Sequence, residues 1–359
     1  MTDLLYTDVE EALRDSVRST LRRALDETLP THLADEPDTD VSGLWRSLAE
    51  QLGLAGLLVP ESLGGAGASA REAAVVLEEL GGAVAPVPFL TSAVIATTAL
   101  LEAGDETRLP TLASGERTAA LVLPWTARRG AWTAVDPSAG PVAPVAGALG
   151  ADLFLVPTRG EGGVTSLRAL DRDEVELEPI TSLDMTRPLA RVSVTGQGNE
   201  IASGTAADEA VDAALAAGAA LLASEQLGVA QWCLDTTVEY AKTRVQFARP
   251  IGSFQAIKHR LADLYLELVG TRAAARHAAG TLADGDPDQL VSQAVAQSYC
   301  SDAAVRAAEE ALQLHGGIGM TWEASVHTRL KRAKSDQLAL GTPDRHRSDL
   351  AELVDLPAS

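Results

Sequence analysis

The sequence predicts a mainly α-helical protein interrupted in the middle by a compact antiparallel β unit. Three observations carry that reading. Apolar residues recur at helical spacing in residues 1–115 and again in 205–359, whereas residues 116–204 break into short β-favouring runs separated by Gly, Pro and Asp. The length of 359 residues, set against roughly 100–200 residues per domain, gives two or three folding units. Hydrophobic residues make up 46% and charged residues 22%, enough for a large core and wrong for a disordered chain.

The first helix opens at Thr7, which with Glu10 forms a capping-box pattern ahead of Val9, Leu13, Val17, Leu21 and Leu25. A second box, Ser69 with Glu72, precedes a helix over 73–80 that Gly81–Gly82 is expected to stop. The glycine-rich stretch 60–67 between them reads as a flexible connection. Strands are expected at 119–123, 153–157, 164–167 and 190–194. A long Ala-rich helix follows over 208–244. Ser253 is then a candidate N-cap for a helix with the stripe Ile257, Leu261, Leu264 and Leu268. Residues 288–314 form the next helix, ended by Gly316–Gly317, and shorter helices over 323–338 and 344–353 finish the chain. Such a bundle can also serve as an oligomerisation core.

Lys+Arg 29 against Asp+Glu 50 gives a net charge of −21, a surface that repels nucleic-acid phosphates and anionic lipid. A local basic patch remains able to hold one anionic ligand. Cys233 and Cys300 are isolated, with neither disulfide framework nor metal spacing, so a reducing cytoplasm is expected and no metal. Early acids and no apolar core in residues 1–11 argue against a signal peptide, and no apolar run reaches about 18 residues, so no membrane insertion is expected.

Two dense clusters lie in the last third. One runs Tyr240-Ala-Lys-Thr-Arg244-Val-Gln246-Phe247-Ala-Arg249-Pro250-Ile-Gly252-Ser253-Phe254-Gln255, and the other Gln313-Leu-His315-Gly316-Gly317-Ile-Gly319-Met-Thr-Trp322-Glu323. Each joins a helix end to a turn bearing Arg, Gln or free backbone N–H groups, the groups that hold a diphosphate. Taken singly, each residue reads equally well as part of an ordinary helix end, Arg244 as a cation favoured by the helix dipole. Together, in this order and with the Pro60-Glu-Ser-Leu-Gly-Gly loop, they resemble the acyl-CoA dehydrogenase family over nearly the whole chain. The resemblance implies an N-terminal helical domain, a small antiparallel β barrel and a C-terminal four-helix bundle. It also implies an acyl-CoA substrate, an electron-transfer flavoprotein-type acceptor and non-covalent FAD shared at a subunit interface. On that resemblance Arg244, Gln246 and Phe247, with Phe254 and Gln255 in the same region, reach the pyrophosphate and adenine side of a flavin housed mainly in a neighbouring subunit. Gln313, Gly316 and Gly317 close over it. Ala248 departs from the family's usual Gly.

The family removes the substrate's α proton with a Glu placed in one of two spots. Leu340 stands in one and Gly218 in the other, so no catalytic residue is assigned. The family's flavin-ring motifs of the middle domain are also unrecognisable, and Trp125 and Trp132 read more simply as packing than as their remnants. The losses fall on the half-site a subunit builds for its own flavin, while the residues lent to a neighbour remain. This asymmetry resembles the partner-dependent subunits of actinobacterial heteromeric acyl-CoA dehydrogenases, several of which act on CoA thioesters of steroid side chains. The expected partner is a second acyl-CoA dehydrogenase subunit. Two alternatives stand beside this reading. One is a self-sufficient homomeric enzyme with a different base: Glu225, or Asp336 or Glu239. Glu225 lies two helical turns, about 10 Å, from Gly218, and its simpler reading is a carboxylate paired with an Arg. The other alternative is a catalytically silent scaffold. The 344–347 run is expected to be a solvated or subunit-facing surface.

Overall fold

The computed structural model describes residues 4–26, 28–36 and 39–356. Its N-terminal part is helical: α1 (Asp8–Ala24), α2 (Leu29–Asp35), α3 (Ser42–Arg46), α4 (Ala70–Ala83), a wide-turned segment Phe89–Ala96 running into α5 (Thr97–Glu102), and α6 (Leu109–Ala113). Both capping boxes form. The Glu10 N–H donates to Thr7 Oγ1 and the Thr7 N–H returns to Glu10 Oε2 at 2.6 Å, while the Ser69 N–H donates to Glu72 Oε2 at 2.9 Å. Along α1, Val17 and Leu21 are buried as the stripe requires, but Val9 in the first turn is exposed. The 60–67 stretch is not loose. Its Gly65, Ala66 and Gly67 N–H groups donate to the carbonyls of Pro60, Gly56 and Val59.

Gly81–Gly82 does not stop its helix. α4 continues to Ala83 and ends where Val84 turns left-handed at φ 51°. Gly81 serves packing instead, and so does Gly228 of the facing helix: a Cβ on Gly81 would lie 2.1 Å from the Glu225 carbonyl oxygen, and one on Gly228 would lie 1.9 Å from that of Glu78. Backbones meet there at a distance no other residue permits.

The middle part holds β1 (Ala119–Leu121), β2 (Val142–Ala146), β3 (Leu153–Arg159), β4 (Thr165–Asp171), β5 (Val175–Ile180), β6 (Leu189–Val194) and β7 (Asn199–Ser203). They form two sheets, ordered β1-β3-β4-β7 and β2-β6-β5, antiparallel except for the β1–β3 pair. Ala120, Phe154, Val156, Val145 and Val192 bury the space between them.

The C-terminal part comprises α7 (Thr205–Thr243), a small hairpin of β8 (Val245–Gln246) and β9 (Arg249–Pro250), α8 (Gln255–Asp284), α9 (Gln289–His315), α10 (Val326–Leu338) and α11 (Pro343–Leu353). Ser253 is not the N-cap of α8. Its hydroxyl donates to the Pro250 carbonyl at 2.7 Å within a short turn, and the cap position falls on Phe254. α7 is long and apolar enough to cross a membrane by length and composition, yet 89% of its most apolar window is buried inside the protein. It packs against α4 on one side and α8, α9 and α10 on the others, so one helix joins the N-terminal core to the bundle core.

Candidate functional site

The two clusters meet at one end of the bundle. α7 terminates because Arg244 turns extended, with its N–H still donating to the Tyr240 carbonyl. The chain reverses through Phe247 and Ala248, both left-handed at φ 52° and 62°, the conformation a two-residue hairpin turn demands. Ala248 therefore keeps the turn that Gly would make and carries the strain of a Cβ in that region. Phe247 is 87% exposed. Phe254 meets it edge-on at 6.2 Å and takes the Arg249 guanidinium over its own ring at 3.9 Å. From the other cluster, buried His315 stacks on Tyr240 at 4.3 Å and engages the Ala311 carbonyl through Nδ1. Arg244, Gln246, Gln255, Gln313, Gly316 and Gly317 are all exposed on this end. Among the described residues Arg244 has no ion-pair partner. A Cβ on Gly317 would meet nothing within 4 Å, and Gly317 lacks the positive φ of Gly316. Nothing in the chain's own packing calls for glycine there.

The positions at which a base was sought face one another. Leu340 adopts φ 53°, donates its N–H to the Trp125 carbonyl at 2.8 Å and presents its own carbonyl to His346 Nε2 at 3.0 Å. Its Cδ1 lies 3.1 Å from where a Cβ on Gly218 would stand, and Ile95 crowds the same point at 2.7 Å. The space left is about 20 Å³, lined by Thr91, Ile95, Leu121, Leu123, Pro124, Trp125, Ala146, Leu215 and Leu340. No carboxylate lines it. That is room for about one water, with a threonine hydroxyl as the single side-chain polar group besides the indole N–H.

Glu225 lies elsewhere, in a buried ionic knot joining the middle and C-terminal parts of the chain. Its Oε1 accepts from both Arg187 and Arg332; Arg332 also bonds Asp184 and donates to Thr186 Oγ1 at 2.6 Å. Burial works against charge on Glu225, but the two guanidiniums outweigh it and hold the carboxyl below its usual range. A general base is most effective with a pKa near the working pH, so this is a poor one. Asp336 is fully buried beside the same knot, its Oδ1 3.5 Å from Arg187; burial and then Glu225 push it well above the usual carboxylate range. Glu239 is on the surface, paired with Lys242 at 2.6 Å. None of the three lines the Leu340 cleft.

Residues outside the two sequence clusters close the other side of Leu340. A cavity of about 290 Å³ there is lined by Arg128, Arg129, Gln293, His346 and Asp349 among others. Arg128 bonds both oxygens of Asp349 at 2.8 Å, pinning α11 to the middle part. His346 is 1% exposed, which corrects the surface expectation for 344–347: α11 turns this one side chain inward. Trp132 donates to Asp212 at 2.7 Å, and Trp125 packs in the core. Among the described residues no group of His, Cys, Asp and Glu is arranged to hold a metal ion.

The family model described as acyl-CoA dehydrogenase, N-terminal domain, matches residues 7–116, and that described as acyl-CoA dehydrogenase, C-terminal domain, matches 209–354. The acyl-CoA dehydrogenase IpdE2 of Mycolicibacterium smegmatis is 38% identical over 339 residues, 94% of this chain and 96% of that one. The acyl-CoA dehydrogenase FadE34 of Mycobacterium tuberculosis is 36% identical over 342 residues, 91% of this chain but 45% of FadE34. Among solved structures, a variant of the Tcur3481-Tcur3483 steroid acyl-CoA dehydrogenase matches with a TM-score of 0.82 at 27% identity, covering 97% of this chain and 98% of that one.

Proposed function

Because the chain belongs to the acyl-CoA dehydrogenase family, we propose that it is the companion subunit of a hetero-oligomeric, FAD-dependent acyl-CoA dehydrogenase, lacking a base of its own. The family's reaction oxidises a CH–CH bond: a carboxylate takes the α proton of an acyl-CoA thioester, and FAD, when bound, accepts the β hydride. In this reading the carboxylate and most of the flavin pocket belong to the partner subunit.

The observation that carries the proposal is the contrast between the chain's two surfaces. The cleft around Gly218 and Leu340 is filled by Ile95 and Leu340 and bordered by no carboxylate, so neither an acyl chain nor a general base fits. The end bearing Arg244, Gln246, Phe247, Gln313, Gly316 and Gly317 is open, with an unpaired cation and a glycine its own fold does not require. Those residues suit a diphosphate: Arg244 offers a fixed fork of donors, and the bare Gly317 backbone lets an oxygen come close to N–H groups. The likenesses support a paired assembly. FadE34 is more than twice the length matched here, and the steroid enzyme's name joins two chains. The steroid enzyme's name also favours a bulky, steroid-derived acyl group, turned over in the partner's cleft, and the acceptor in this reading is an electron-transfer flavoprotein, as the family resemblance implies. Two free, buried cysteines suit a cytoplasmic setting.

Glu225 as the base of a homomeric enzyme fares worse, because both guanidiniums already occupy it. A silent scaffold leaves the unpaired Arg244 and open Gly317 without a purpose. Co-expression with an acyl-CoA dehydrogenase subunit encoded beside this chain is the test. A yellow hetero-oligomer is expected, and Arg244→Ala is expected to leave the assembly intact but strip its flavin. Failure of the two chains to co-purify, or full flavin retention by Arg244→Ala, contradicts the proposal.

A further inference from the structure

Trp322 follows the Gly316–Gly317 turn closely in the chain and is 57% exposed, with Ile318 at 44% and Met320 at 73% on the same segment. At full extension its Cα lies within about 18 Å of that of Gly317. The Lys331 ammonium, on α10, sits 4.5 Å from the indole centroid, and the His327 ring meets the indole edge-on at 5.0 Å. Lys331 is one of only four lysines in a chain of net charge −21, and among the described residues it has no carboxylate partner. An ammonium held over an exposed indole is attracted only weakly, too little to explain why the pair stands uncovered on the surface. The hairpin repeats the device, with the Arg249 guanidinium over Phe254 and, among the described residues, no carboxylate on Arg249 either.

An aromatic plane beside an uncompensated cation is the chemistry that receives a purine and its phosphates. Resting on the companion-subunit reading, we infer that Trp322 and Lys331 form an additional binding patch for an adenosine diphosphate moiety, extending the surface lent by Arg244 and the Gly316–Gly317 turn. FAD and CoA both carry that moiety. Sharing a segment with Gly316–Gly317 favours FAD.

The test uses the flavin-loaded assembly. Trp322→Ala and Lys331→Met are each expected to speed FAD loss on dilution about tenfold, the scale of losing one base-stacking contact, with Trp322→Phe restoring most of it and the assembly's mass unchanged. If FAD loss is unchanged but the KM for acyl-CoA rises about tenfold, the patch holds the adenosine diphosphate of CoA instead. Unchanged FAD loss with unchanged KM overturns the inference. So does dissociation of the subunits with normal FAD retention in the remaining intact assemblies, which marks a protein contact. Arg244→Ala, measured alongside, separates the two claims. If it too retains FAD, the companion reading has failed; if it alone releases FAD and the KM for acyl-CoA is unchanged in the patch variants, only the Trp322–Lys331 patch has.

Discussion

Asp336 shows how far a single residue departs from what its place in the chain suggests. It is fully buried near two guanidiniums that Glu225 and Asp184 already engage, and among the described residues its carboxyl oxygens have no hydrogen-bond partner. Its raised pKa means that folding favours the neutral acid. Its contribution to stability is therefore present below the ordinary aspartate value and lost as pH rises toward the folded-state value. Glu225 and Asp184, held low once their guanidiniums outweigh burial, run the other way: their contribution is present above the ordinary carboxylate values and lost as pH falls through the folded ones. Asp336→Asn isolates the first effect. It is expected to stabilise the protein near neutral pH and to leave it unchanged near pH 3, read from urea melts at both pH values. A variant equally or less stable at neutral pH refutes this account of Asp336. The sequence allowed that Glu225 pairs with an Arg, since a lone acid in an apolar helix needs a cation. It did not reveal which Arg, because Arg187 and Arg332 arrive from distant segments.

The same division holds for elements. Both capping boxes were legible because their partners lie three residues apart and answer only to local geometry. Gly81–Gly82 was misread because the role of Gly81 is set by α7, far along the chain, whose Glu225 backbone it meets. Ser253 was misread because the turn before α8 takes its hydroxyl for Pro250. Two glycine substitutions separate a glycine used within the fold from one used outside it. Gly228→Ala drives a Cβ to 1.9 Å from the Glu78 carbonyl oxygen and is expected to cost about 3 kcal/mol or more. Gly317→Ala meets open space and is expected to change stability by no more than about 0.5 kcal/mol while weakening flavin retention by the assembly. Thermal melts and the flavin content of the gel-filtered assembly measure both. Destabilisation by Gly317→Ala, or unaltered flavin content, contradicts the assignment.

At the scale of the whole molecule, one polypeptide presents an open, exposed end at the hairpin and the Gly316–Gly317 turn and a filled cleft around Gly218 and Leu340. The exposed residues sit on helix ends and a hairpin, and the sequence marked them as two short, contiguous motifs; the role proposed for them rests on that placement. The closure of the inward cleft left only one mark in the sequence, Leu340 and Gly218 at the two positions where a base was sought. That Leu340 and Gly218 touch, that Ile95 fills the gap, and that Arg128, Asp349 and His346 brace the far side depends on long-range packing. The acidic surface fits this division, since an unpaired Arg244 stands out against a net charge of −21. The most direct test of the central claim is the flavin content of this chain purified alone, followed by addition of acyl-CoA. The account predicts a colourless protein with no flavin to bleach. A stoichiometric FAD complex that bleaches with acyl-CoA in the absence of any second subunit would contradict it.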